Sequence, residues 1–224
     1  MMKRIISILI LIIFVLLLSD PLWGNDDHKA ERGRFSHIKS VTSLKTVYEL
    51  EKSGDQAAVP LLTGALKKNS GVHRLAAIHA LATIGGAEAE RFLKDLWKEL
   101  GRASEQNDFM FHEDSIAGEK AFVAAALHKL GQKDYVDFVY GAIKHDNKLV
   151  RYNTAAAMGM VNTPKSKQML MDVLLNDEMD IPRCGAADTL VELQDIEGIK
   201  LIKQMIESAK GPTYCLKGLV DTER

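Results

Sequence analysis

The sequence predicts an all-α protein in which about four and a half to five helix pairs stack into an α-solenoid. Three observations support this prediction. Aromatic residues make up only 6% of the 224 residues, and alanine-rich stretches take their place. Apolar residues recur at the spacing of a helix stripe. The whole pattern then repeats about every 31 residues along most of the chain.

The composition limits the class of protein. Lys and Arg total 29 against 30 Asp and Glu, which gives a formal net charge of −1, whereas nucleic-acid-binding proteins usually carry a basic excess. Hydrophobic residues at 46% and charged residues at 26% are typical of a folded domain, not of a disordered chain or a multi-span membrane protein. We therefore expect no nucleic-acid partner.

Residues 1–24 resemble a targeting segment. Lys3 and Arg4 precede residues 5–18, an almost entirely apolar run. A basic start and a short apolar core are typical of a secretory signal peptide, and a membrane span needs about 20 apolar residues. The prediction is a signal peptide, with an outward-facing anchor formed by residues 5–23 as the alternative. Both place the remainder outside the cytoplasm, periplasmic or extracellular, and we expect membrane contact only through this anchor.

The mature chain divides into a spacer and a repeat domain. Residues 25–39 are polar and lack periodicity, which predicts a flexible spacer, and residues 40–224 form the predicted repeat domain. Small and branched apolar residues follow one repeated position at offsets of 3, 4, 7 and 10, which is a single helix stripe. A second apolar segment follows each time, and it predicts an antiparallel second helix. The repeated position is held by Arg74, Lys120, Arg151 and Arg183.

Two segments carry a family resemblance. Residues 55–86 and 145–177 resemble HEAT-like repeats of the short bacterial type, which also occur in phycobilisome lyases, and the resemblance extends over roughly residues 40–210. It implies a right-handed α-α superhelix and protein–protein binding more often than catalysis. It also implies that the repeated arginine is a structural partner for nearby loop carboxylates or carbonyls. Lys120 departs from that pattern.

The regular spacing is interrupted once. The step from Arg74 to Lys120 is 46 residues, and the extra residues are about 101–115. Insertions in solenoids lie on one face, which is often the binding face. An apolar cluster with a polar rim suits a partner contact, and the alternative is that its two phenylalanines pack back onto the helices. The predicted contact residues are Phe109, Met110, Phe111, His112, Glu113 and Asp114.

A second predicted contact lies on the second helices. Tyr140 and Met171 occupy the same position in successive second helices, where other repeats have polar residues. We expect them to be neighbours, about 10 Å apart, on a concave face formed by the second helices. Methionine adapts to varied apolar groups, which favours a binding surface. Local variation in packing is the alternative.

The two cysteines are predicted to stay unpaired. Cys184 and Cys215 lie one period apart, at nearly equivalent positions. Stacked helices are about 8–10 Å apart, whereas a disulfide needs Cα atoms about 4.4–6.8 Å apart. An exported compartment would nevertheless permit a bridge.

Sequence motifs of catalysis are absent. The chain has no glycine-rich phosphate loop, nucleophile elbow or HExxH zinc motif. His112 and Glu113 are adjacent, and adjacent residues rarely converge on one metal ion. We therefore expect no catalytic residue, metal or cofactor.

The predicted function is a non-catalytic scaffold or adaptor that binds another protein outside the cytoplasm. The alternatives are an enzyme or cofactor-handling protein resembling the bilin lyases, and a structural subunit of an envelope complex.

Overall fold

A computed structural model describes Val41, residues 43–105 and residues 113–220. The targeting segment predicted for residues 1–24 and the spacer predicted for residues 25–39 lie outside the described residues. None of the helices described has both the length and the apolar character needed to cross a bilayer.

The described ranges contain eleven α-helices and no β-strand. A short 3-10 helix precedes the second and the sixth of them, at Gln56–Ala58 and Lys133–Tyr135. The α-helices in chain order are α1 (Leu44–Ser53), α2 (Val59–Lys68), α3 (Val72–Ile84), α4 (Gly86–Glu105), α5 (Glu113–Lys129), α6 (Val136–Ala142), α7 (Lys148–Val161), α8 (Pro164–Asn176), α9 (Asp180–Glu192), α10 (Ile196–Glu207) and α11 (Thr213–Val220).

The first helix of each pair packs against the first helix of the next. The contacts run from α1 to α3, α5, α7, α9 and α11. Each second helix packs against the first helix that follows it, and α4, α6, α8 and α10 also pack against the one before. The core between them is fully buried at the predicted stripe positions Leu81, Leu127, Met158 and Leu190. The all-α prediction is confirmed for the described residues, and the successive packing is consistent with an α-solenoid.

Local sequence determines where the helices begin and end. The Asn147 side chain caps α7 by accepting a hydrogen bond from the backbone N–H of Leu149 at 2.7 Å. Thr163 and Ser166 form a reciprocal capping box at the start of α8, where Pro164 occupies the first turn. Asn162 ends α7 in the left-handed conformation, with φ of 42°. These caps fix the short turns that let successive helices run antiparallel.

Part of the predicted insert at residues 101–115 is helical. Residues 101–105 complete α4 and residues 113–115 begin α5, while residues 106–112 lie outside the described residues. The apolar stripe of α4 continues through Leu96 to Leu100, both of which are buried. The long helix α4 therefore accounts for part of the extra spacing that the sequence suggested was a loop.

The structure contradicts the prediction that the cysteines stay unpaired. Cys184 and Cys215 form a disulfide, with their Cα atoms 6.0 Å apart. The prediction failed because it used the distance between helix axes. Each Cα lies about 2.3 Å from its own axis, so facing Cα atoms on helices 8–10 Å apart approach to about 3.4–5.4 Å. The bond ties the short α11 to α9.

Candidate binding surface

Arg151 joins three segments of the chain from a buried position. Its Nε and Nη2 donate to the Asp177 carboxylate at 2.7 and 2.9 Å, and its Nη1 donates to the carbonyls of His145 and Asp146, each at 2.8 Å. Burial alone would raise the pKa of Asp177. Hydrogen bonds from Arg151 and from the backbone N–H of Met179 outweigh burial, so the pKa of Asp177 is lowered.

The other repeated arginines also contact neighbouring segments. Arg74 donates from Nε to the two Glu119 carboxylate oxygens at 3.1 and 3.0 Å, and from Nη1 to the carbonyl of Leu66. These bonds link α3 to α5 and to the end of α2. Arg183 donates from Nε to the carbonyl of Leu174, at the end of α8, at 2.9 Å. All three arginines thus hold second-helix ends or neighbouring repeats in place.

Lys120 makes a different contact at the repeated position. Its Nζ lies 4.7 Å from the centre of the Trp97 ring and 5.1 Å from that of Phe138. Trp97 packs edge-on against both Phe138 and Tyr135, at 5.1 and 5.2 Å between ring centres. The ammonium therefore covers an aromatic cluster through cation–π contacts, a use that a repeat-wide arginine pattern does not predict.

A cavity of about 330 Å³ opens next to Lys120, where α4, α5 and α6 meet. Its lining includes Ile116, Phe138, Ala142 and His145. This recess has apolar walls with a cation at one side, and it lies beside the predicted insert.

Only part of the predicted contact set in the insert lies within the described residues. Phe109, Met110, Phe111 and His112 lie outside the described residues, and Glu113 is the first residue of α5.

Asp114, the last residue of that predicted set, faces the turn before α7. Its carboxylate accepts a hydrogen bond from Asn147 Nδ2 at 2.6 Å and lies 4.0 Å from His145 Nδ1. Asp114 thus contacts the next repeat.

Tyr140 and Met171 are both half-buried, on α6 and α8. The Tyr140 hydroxyl shares a hydrogen bond of 3.0 Å with Thr163, and Lys165 Nζ lies 4.0 Å from the centre of the tyrosine ring. These contacts place Tyr140 at the start of α8, about two turns from Met171.

An exposed apolar patch lies instead on the first helices. Leu149 and Tyr152 of α7 are 53% and 40% exposed, and Ile181 of α9 is 36% exposed. Tyr152 reaches across to α9, where a Cβ added at Gly185 would lie 2.7 Å from its Cδ2 atom. The ring thus rests on Gly185, one turn beyond Ile181. We call Leu149, Tyr152 and Ile181 the first-helix patch.

Sequence reasoning missed this patch, although a signal existed. Val72, Leu149 and Ile181 all lie two residues before the repeated position, outside the apolar stripe. Val72 is also exposed. A large apolar residue that recurs at a solvent-facing position in several repeats is a feature that burial does not explain.

Two carboxylates continue the same face of α9. Asp188 and Glu192 follow Ile181 and Gly185 at spacings of three and four residues, so all four lie on one side of the helix. Partial desolvation raises the pKa of Asp188. Desolvation and the neighbouring Asp188 raise the pKa of Glu192, which His79 partly offsets. Among the described residues, no cation forms a hydrogen bond or ion pair with either carboxylate.

A second polar network lies on first helices nearer the N-terminus. His79 Nδ1 is 2.9 Å from Glu51 Oε1, and Lys129 Nζ donates to Thr83 Oγ1 at 3.0 Å. The hydrogen bond from His79 is the main cause of the lowered pKa of Glu51, against an opposing effect of burial. The network connects α1, α3 and α5.

His79 on α3 and Glu192 on α9 interact electrostatically, although α5 and α7 separate their helices in the stack. The concave face that we expected on the second helices stays a prediction.

In the described ranges, no group of three or more His, Cys, Asp or Glu side chains is placed to hold a metal ion.

The family model for HEAT repeats matches residues 112–191, which include α7 and nearly all of α9. This match supports a HEAT-like repeat protein. No curated protein matches the chain.

Proposed function

We propose that this protein is a non-catalytic scaffold or adaptor that binds another protein outside the cytoplasm. The observation that carries the proposal is the first-helix patch, in which apolar side chains of two successive repeats form one exposed surface. Such patches are typical of protein contacts. The match to HEAT repeats adds support, because these repeats commonly mediate protein–protein interactions.

The location outside the cytoplasm has two supports. The basic and apolar N-terminus is typical of an export signal or anchor. The disulfide between Cys184 and Cys215 is the second, since disulfides form and persist in oxidising compartments and are rare in the cytosol. The two features are far apart in the sequence and point to the same compartment.

The finer family assignment is also part of the proposal. We infer that the helix pairs form a right-handed superhelix of the short bacterial type found in phycobilisome lyases. The period of about 31 residues and the repeated arginine support this inference. The insert at residues 101–115 and the pair Tyr140 and Met171 stay predicted as additional contact sites.

Site-specific photocrosslinking in the native cells would test partner binding. A photoreactive phenylalanine analogue replaces Tyr152 in the full chain, and a second variant carries it at Ile196, which is 79% exposed on α10. We expect a discrete crosslinked protein from position 152 and none from position 196. Absence of a specific product at position 152 would contradict binding through this patch.

The compartment is tested separately. A reporter enzyme that is active only after export is fused after Arg224, the last residue of the chain. We expect full reporter activity from the unaltered chain. Replacing Lys3, Arg4 and the apolar residues 5–18 by polar residues should abolish that activity. An inactive reporter on the unaltered chain would contradict the location outside the cytoplasm. It would not affect the binding proposal, which the crosslinking experiment tests.

A further inference from the structure

We propose that the first-helix patch recognises a partner segment that combines apolar side chains with Lys or Arg. This inference rests on the proposed protein-binding function and specifies the chemistry of the partner. Two independent features meet on the same side of α9. One is the apolar surface of Leu149, Tyr152 and Ile181, and the other is the pair of carboxylates that follows it.

The two features form one continuous surface because of Gly185. Ile181, Gly185, Asp188 and Glu192 follow each other at helix spacing, so they share one side of α9. The Tyr152 ring fills the space above Gly185 and thus lies between Ile181 and Asp188. A segment bound along α9 would therefore pass from apolar to acidic surface without a gap.

The carboxylates provide the charge preference. Asp188 and Glu192 are one turn apart and carry like charge. No cation in the described residues forms a hydrogen bond or ion pair with them, and His79 acts on Glu192 more weakly than burial and Asp188 do. Lys129 of α5 donates to Thr83 and acts on Glu51. A partner Lys or Arg would supply the missing positive charge, whereas a partner Asp or Glu would add to the repulsion.

Helix geometry also predicts a spacing within the partner. Ile181 and Asp188 are seven residues apart, which corresponds to about 10 Å along the helix axis. An extended segment advances about 3.3 Å per residue. An apolar side chain held at Ile181 and Tyr152 would therefore place a cationic side chain three residues away beside Asp188, and one five residues away beside Glu192.

The test uses defined peptide probes and the full chain. The probe is a fluorescent Gly/Ser peptide with two leucines and two lysines, placed so that leucine and lysine are three residues apart. Matched probes replace the lysines with glutamine or glutamate, or the leucines with serine. Fluorescence anisotropy at 0.15 M salt measures each affinity. We expect the leucine–lysine probe to bind about tenfold more tightly than the glutamine probe, and the glutamate and serine probes to bind still more weakly.

Variants of the chain locate the binding. The double variant Asp188→Asn with Glu192→Gln should bind the lysine probe about tenfold more weakly. The matched double variant Glu197→Gln with Glu207→Gln, which removes two exposed charges from α10, should bind normally. In the same way, Leu149→Ser with Ile181→Ser should abolish binding, and Ile196→Ser should not.

The outcomes separate this inference from the function on which it rests. Equal affinity for the lysine and glutamate probes, or equal loss in the α10 control, would overturn the partner chemistry. If no probe binds while position 152 still crosslinks to a protein in cells, the inference fails and the proposed function stands. A crosslinked product that proves to be a second copy of this chain would also overturn the inference. If position 152 crosslinks to nothing, both fail.

Discussion

Arg151 stabilises the fold more than an ordinary surface cation can. It is 8% exposed, and its partner Asp177 is similarly enclosed, so the pair is shielded from water and salt. Removing one member of such a pair leaves an uncompensated charge, whereas removing both leaves none. The guanidinium also satisfies two loop carbonyls, so its loss frees backbone acceptors as well as the carboxylate.

We therefore predict that Arg151→Met lowers the free energy of unfolding by about 3–5 kcal/mol. The double variant Arg151→Met with Asp177→Leu should recover part of that loss. Removal of the exposed Lys45–Glu49 pair, by Lys45→Met, should change stability by less than about 1 kcal/mol. Urea unfolding measures all three. A loss below about 1 kcal/mol for Arg151→Met would show that the pair contributes no more than a surface contact.

His128 supplies a second residue-scale prediction. Burial, with a smaller effect of Lys133, lowers the pKa of His128, and its Nδ1 has no hydrogen-bond partner among the described residues. The unfolded chain therefore binds a proton at higher pH than the folded chain does. Stability should fall as pH drops below about 6.5, the ordinary histidine value, until the folded pKa is reached. In His128→Leu, urea unfolding between pH 7 and pH 5 should show a shallower pH dependence, and an unchanged slope would contradict this assignment.

At the scale of the element, Gly185 determines how α7 meets α9. A methyl group at this position would overlap the Tyr152 ring, so we predict that Gly185→Ala displaces the ring and destabilises the protein by about 1–3 kcal/mol. Gly64 in α2 is the matched control, because nothing lies within 4 Å of an added Cβ there. Gly64→Ala should stabilise the protein by up to about 1 kcal/mol. Thermal unfolding of both variants tests the pair, and a stabilised Gly185→Ala chain would contradict the close contact.

The disulfide is the other connection that acts on an element. It closes a separation of 31 residues between α9 and α11. Loop-closure entropy predicts a loss of about 3–4 kcal/mol when Cys184→Ser and Cys215→Ser are combined. Hydrogen exchange should increase most in α11, a short helix that packs against α9 and α10. The unaltered chain in a reducing buffer should behave like the double variant, and uniform exchange across all helices would contradict a local role.

These elements show what the sequence could predict. The helix stripes were predictable because burial imposes a period on each helix separately, as Leu81 and Leu190 illustrate. The disulfide and the contact of the Tyr152 ring with Gly185 were not predictable. They depend on how two helices are placed against each other, and a repeat pattern gives axis spacing without the positions of facing Cα atoms. The first-helix patch was partly predictable, since the sequence shows the recurrence of its apolar residues but not their exposure.

At the scale of the whole molecule, one electrostatic effect links helices that are not neighbours in the stack. His79 on α3 acts on Glu192 of α9, although α5 and α7 lie between these helices. Repeat proteins are held together mainly by contacts between neighbouring units, so a repeat pattern alone does not predict such an effect.

This effect between α3 and α9 gives the prediction that belongs to this scale. His79 lowers the pKa of Glu192, against the larger effects of burial and Asp188. His79→Gln should therefore raise the pKa of Glu192, and the effect should weaken as salt is added. Carbon-13 NMR titration of the Glu192 carboxyl measures it, with His73→Gln, also on α3, as the control that should leave the value unchanged. A Glu192 pKa that is the same in all three chains would mean that the faces of α3 and α9 do not approach each other.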